Sequence, residues 1–100
     1  MNVNFEMALQ YINLGSYEKA EEELRTAIDK ETEKGSLETA MEYRCVLGEL
    51  LANLRKRKKS DEEFLRVVEY CKKTGSLPKQ LAIAEEYLAK PRPGRKSTKS

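Results

Sequence analysis

The sequence predicts an all-α fold: a five-helix antiparallel array made of two helix hairpins and a C-terminal capping helix. Three observations predict it. Apolar residues recur at three- and four-residue intervals along most of the chain, the period of an amphipathic helix. The pattern breaks at Gly15-Ser16, Gly35-Ser36 and Gly75-Ser76, where glycine tolerates the left-handed conformation that ends a helix and serine can cap the next. Small residues such as Ala8, Ala20 and Ala27 alternate with large ones such as Tyr11, Tyr17 and Leu24. Antiparallel neighbours can then approach closely, with the large side chains filling the space the small ones leave.

The first helix is expected over Val3 to Leu14, with Phe5, Ala8, Leu9, Tyr11 and Ile12 on its apolar face. The second runs from about Tyr17 to Lys34, burying Tyr17, Ala20, Leu24, Ala27 and Ile28. Its glutamates Glu21 to Glu23 lie near the positive end of the helix dipole and on a solvated face. The third, from about Leu37 to Leu54, is apolar over more than half its circumference and should be the central helix, packed from two sides. After the run Arg55 to Lys59, Ser60-Asp-Glu-Glu63 reads as a capping box that starts the fourth helix, whose buried stripe is Phe64, Leu65, Val67, Val68 and Cys71. Gly75 ends it behind Lys72 and Lys73. Pro78 then opens the fifth helix in a first turn where its missing N–H has no intrahelical partner, and Leu81, Ala82, Ile83, Ala84, Tyr87 and Leu88 carry that helix's contacts. Pro91 and Pro93 close the fold. The expected division is a helical domain over 1–90 and a disordered basic tail over 91–100.

The formal net charge of +2 conceals an uneven distribution. Five cations lie in Arg55, Lys56, Arg57, Lys58 and Lys59, and four more in the tail as Arg92, Arg95, Lys96 and Lys99. The body is acidic. No stretch approaches the roughly 18 apolar residues of a membrane-spanning helix, and Glu6 falls where a signal peptide would build its apolar region, so a soluble intracellular chain, cytoplasmic or nuclear, is expected. The two cysteines, Cys45 and Cys71, fall in apolar helical patterns and read as reduced, small hydrophobic residues; a disulfide between them is left open.

The sequence also repeats internally. Ala8 and Tyr11 recur as Gly48 and Leu51, and again as Ala84 and Tyr87. Ala20, Leu24 and Ala27 are echoed by Phe64, Val68 and Cys71, which implies a shift of forty residues between the first two odd helices but forty-four between the even ones. The stretch Ala8, Tyr11, Leu14, Gly15, Tyr17, Ala20, Leu24, Ala27 resembles the first unit of a tetratricopeptide repeat. The second unit is a poorer match, with Phe64 where an alanine is expected. Asn4 also stands in place of the usual tryptophan, and no closing proline is present near Thr32.

That resemblance implies a right-handed helical array in which the odd helices line a concave groove for a peptide or a partner helix. The groove residues it points to are Phe5, Leu9, Ile12 and Asn13 on the first helix, Cys45, Glu49, Ala52 and Asn53 on the third, and Leu81, Glu85 and Leu88 on the fifth. Asn13 and Asn53, forty residues apart, would pair with a ligand backbone. Phe5 and Leu9 occupy the positions where chaperone-binding members of the family grip a C-terminal carboxylate, so that function is not expected, and an amphipathic or basic-apolar segment fits better. Two repeats fall short of the three or so such arrays need for stability, which implies self-association or a partner helix that completes the stack.

No catalytic function is expected. The chain has no histidine, and its cysteines are too far apart in sequence for a metal motif, so neither a metal site nor a cofactor site is read from it. The competing expectation is nucleic-acid binding through Arg55 to Lys59 and the tail by counterion release, although no aromatic residue interrupts either run to stack on bases.

Overall fold

The computed structural model describes residues 2–91. It contains five helices, α1 (Val3–Asn13), α2 (Tyr17–Glu33), α3 (Leu37–Asn53), α4 (Arg57–Thr74) and α5 (Pro78–Ala89), and no strand among the described residues. Apart from Pro91, the expected tail lies outside the described residues. No helix among the described residues is long and apolar enough to cross a membrane.

Sequential helices pack as antiparallel neighbours, and α3 also touches α5. The principal extents are 47 × 35 × 18 Å, and the shortest of them is about two helix diameters. One layer holds α1, α3 and α5. The other holds α2 and α4, linked by ion pairs from Arg25 to Glu63 (3.6 Å) and from Lys56 to Glu21 (3.0 Å). The core forms two clusters that meet in α3. Ala8, Leu24, Ile28, Leu47 and Leu51 fill the space among α1, α2 and α3, whereas Cys45, Phe64, Val67, Cys71 and Ala84 fill that among α3, α4 and α5. Packing of the third helix from two sides agrees with its wide apolar face.

Three corners share one hydrogen-bond geometry at twenty-residue intervals. Ser16 N–H donates to Tyr11 C=O (2.8 Å), Ser36 to Glu31 (2.9 Å) and Lys56 to Leu51 (2.9 Å); the preceding N–H of Gly15, Gly35 or Arg55 reaches Ile12, Thr32 or Ala52. These are Schellman closures, and each needs a left-handed residue. Gly15 (φ 79°) and Gly35 (φ 82°) supply it, but at the third corner it is Arg55 (φ 63°). The serines do not cap through their side chains, since neither Ser16 nor Ser36 makes such a bond. Asn2 does cap α1, its Oδ1 accepting from Phe5 N–H at 3.0 Å.

The third corner corrects two expectations. Helix α4 starts at Arg57, with Lys56 as its N-cap, so Ser60 to Glu63 is no capping box. Ser60 lies one turn inside the helix, buried, with its hydroxyl donating to the Gly48 carbonyl at 2.8 Å. Its equivalents twenty and forty residues earlier are Ala40 and Ala20, both fully buried. The even helices therefore repeat at forty, not forty-four. Ala20, Leu24 and Ala27 correspond to Ser60, Phe64 and Val67. Phe64 is the large residue of its set, and close approach is preserved by Gly48: a Cβ there would lie 2.8 to 3.0 Å from the Phe64 ring. Hairpin one sets alanine and leucine at the equivalent places, Ala8 and Leu24, whereas hairpin two sets glycine and phenylalanine.

Candidate functional site

The layer of α1, α3 and α5 carries the candidate groove. Ile12 on α1, Val46, Glu49, Leu50 and Asn53 on α3, and Tyr87 on α5 surround a hollow of about 300 Å³ that Tyr17 borders from the start of α2. These positions come together because α1 and α3 meet through Phe5 and Tyr43, whose rings stack at 4.0 Å. In turn α3 and α5 meet where the Cys45 thiol lies 4.0 Å from the Gln80 carbonyl. A second hollow of about 220 Å³ continues past Ala52 and Asn53 to Arg55, Arg57, Tyr87, Lys90 and Pro91.

Glu49 is the polar centre of the first hollow. Burial pushes its carboxyl above the ordinary glutamate range, opposed by a hydrogen bond from the Tyr87 hydroxyl and by the positive charge of Lys90. Tyr87 is held above its own ordinary range by burial and by the Glu49 charge. The Lys90 ammonium sits 4.0 Å from the Tyr87 ring centroid, a cation–π contact at the hollow's edge.

Of the residues the sequence singles out, Ile12, Glu49 and Asn53 share this hollow. Leu9 is 41% exposed on α1, and Asn13 is exposed at that helix's end, outside the lining. Phe5 is half-buried in its stack on Tyr43. The remaining expectations are displaced. Cys45 is buried in the second core cluster, and Leu81 and Leu88 pack against that cluster. Glu85 reaches towards Lys72 of α4 at 3.8 Å. On α5 it is Tyr87 that reaches the hollow. Its small-then-large spacing after Ala84 marked it as core, and its ring does stack on Phe64 with centroids 4.9 Å apart, yet the hydroxyl extends beyond the core to Glu49. Val46 was also missed, although it lies one helical turn before Leu50, beside which it lines the hollow.

The basic run is partly consumed by the fold. Lys56 pairs with Glu21, whose carboxyl burial would raise but which Lys56 and Arg25 together hold below its ordinary range. Arg57 bonds Asp61 at 3.0 Å and donates to the Tyr87, Lys90 and Pro91 carbonyls, closing the C-terminal end of α5. Arg55, Lys58 and Lys59 are exposed. Cys45 and Cys71 are both free thiols; burial pushes Cys45 up to about 12 and raises Cys71 as well.

No family model, curated protein or solved structure matches the chain.

Proposed function

We propose that this chain is a non-catalytic protein-interaction module of the tetratricopeptide-repeat type, which holds a partner peptide or helix across α1, α3 and α5. The observation that carries this reading is the hollow that Ile12, Val46, Leu50, Glu49, Asn53 and Tyr87 build, with apolar walls at Ile12, Val46 and Leu50 and polar groups at Glu49 and Asn53, a composition suited to an amphipathic segment. The forty-residue correspondence of Ala8, Tyr11, Ala20, Leu24 and Ala27 with Gly48, Leu51, Ser60, Phe64 and Val67 supports the repeat assignment. Nucleic-acid binding is the weaker reading, because Lys56 and Arg57 are already engaged with Glu21, Asp61 and the end of α5.

The test is selection of ligands from a random phage-displayed peptide library, followed by calorimetry on the selected peptides. Binding should fall about tenfold or more for the double variant Tyr17→Glu/Asn53→Arg, which alters two exposed residues of the lining. It should be unchanged for Leu65→Glu, which alters an exposed residue of α4. Peptides that bind the double variant as tightly as the wild type would remove the groove from the reading.

A further inference from the structure

Glu49 differs from most of the other shielded acids of the chain; of the rest, only Glu23, which accepts from the Asn4 side-chain amide at 2.7 Å, also lacks an ion pair among the described residues. Glu21 faces Lys56 and Arg25, Glu31 faces Lys34, Asp61 faces Arg57, and Glu63 faces Arg44 and Arg25. Glu49 has no ion pair among the described residues; a tyrosine hydroxyl is its hydrogen-bond partner, and the nearby Lys90 is drawn onto the Tyr87 ring instead. A half-buried carboxylate with no ion pair is a less favourable arrangement than a paired one, and a cation supplied from outside would relieve it.

We infer that Glu49 is the anchor for a lysine or arginine of the partner, carried between aliphatic residues that fill the hollow against Ile12, Val46 and Leu50. This inference rests on the groove reading above. Charge complementarity selects the cation. Glu42, two helical turns before Glu49 and exposed, extends the acidic line along the same face of α3. The Tyr17 ring borders the same space and is 44% exposed, so it offers an aromatic face to the cationic group, whereas the Tyr87 ring is already in contact with Phe64 and Lys90. The walls select the flanking residues, since only apolar side chains gain by leaving water there. The chain's own C-terminal segment meets one requirement and fails the other. Residues 92–100 carry four cations but no aliphatic branched or aromatic side chain, so this segment matches the hollow less well than a partner in trans that carries both.

The same peptide library, panned separately on wild type, Glu49→Gln and Glu49→Lys, tests the inference. Glutamine keeps an acceptor for Tyr87, and circular dichroism verifies that each variant stays helical. Wild-type selection should enrich peptides with one fixed Lys or Arg flanked by Leu, Ile, Val or Met. These should bind Glu49→Gln about tenfold more weakly, and Glu49→Lys should instead enrich Asp or Glu at that place. Groove-dependent peptides with no fixed cation would overturn the anchor while leaving the groove intact. Failure to select any groove-dependent peptide would overturn both. If removal of residues 92–100 raised peptide affinity tenfold or more, the occupant would be the chain's own tail and the trans assignment would be wrong.

Discussion

Replacing Gly48 by alanine should destabilise the protein, although glycine is the poorest helix former after proline. The added Cβ would lie 2.8, 2.9 and 3.0 Å from three atoms of the Phe64 ring. That ring is fully buried and backed by the Tyr87 ring, so it has no flexible end to swing away. Overpacking of this kind costs roughly 1–3 kcal/mol, and simultaneous contact with three atoms of a rigid ring places it near the upper end. Alanine's better helix propensity returns about 1 kcal/mol, leaving a net loss of about 2 kcal/mol. Thermal unfolding should register this as a fall in Tm of about 4–8 °C for each kcal/mol in a domain of this size. The sequence itself supplies the control, because hairpin one uses alanine and leucine at the equivalent positions. Gly48→Ala combined with Phe64→Leu should be more stable than the sum of the two single changes by about 2 kcal/mol. A Gly48→Ala protein as stable as the wild type, or an additive double-mutant cycle, would refute the size-matching account.

Three further outcomes follow from particular residues. Arg55→Gly should raise stability by about 0.5–1 kcal/mol in urea unfolding, because it removes the left-handed strain of a side-chain-bearing residue against the greater freedom glycine gives the unfolded chain; unchanged or lower stability would refute it. Arg57→Gln should lower stability by about 2 kcal/mol through loss of charged bonds to the end of α5, and hydrogen exchange should show the last turn of α5 opening first while α1 and α2 keep their protection. The Cys45 thiol, raised from 9.0 to about 12, should resist alkylation in the native protein at pH 8. Because its folded pKa is the higher, its contribution to stability is complete below pH 9 and is lost as pH rises towards 12; a Cys45→Ala protein should show a shallower alkaline decline.

The sequence made the helices legible because their amphipathic period is long and their first two corners are glycines. The third corner was hidden because its left-handed residue is Arg55, inside a charge run that reads as solvated surface, so Ser60 was taken for the helix start and the even-helix repeat was displaced by one turn. Gly48 then lost its evident partner, since the size match with Phe64 appears only in the forty-residue register. Of the α3 candidates, Glu49 and Asn53 line the hollow, because the neighbours of α3 on both sides fix which face remains open. Helix α5 was read poorly. Packed on α3 and α4 but flanked by no further described helix, it turns Leu81 and Leu88 into the core, Glu85 towards Lys72, and the end of Tyr87 outward, an orientation that spacing within one helix does not determine.

The shared corner geometry makes the length of this fold quantised. From Ser16 to Lys56 each helix and its corner occupy twenty residues, and each corner returns the chain to the same phase, with a small buried residue four places later at Ala20, Ala40 or Ser60. An insertion of two residues within that span would rotate every following helix by about 200° and expose what it should bury. An insertion of forty would add a hairpin and leave all existing faces where they are. Chains of this design can therefore grow or shrink only in whole steps, and the groove lengthens by one odd helix with each hairpin added.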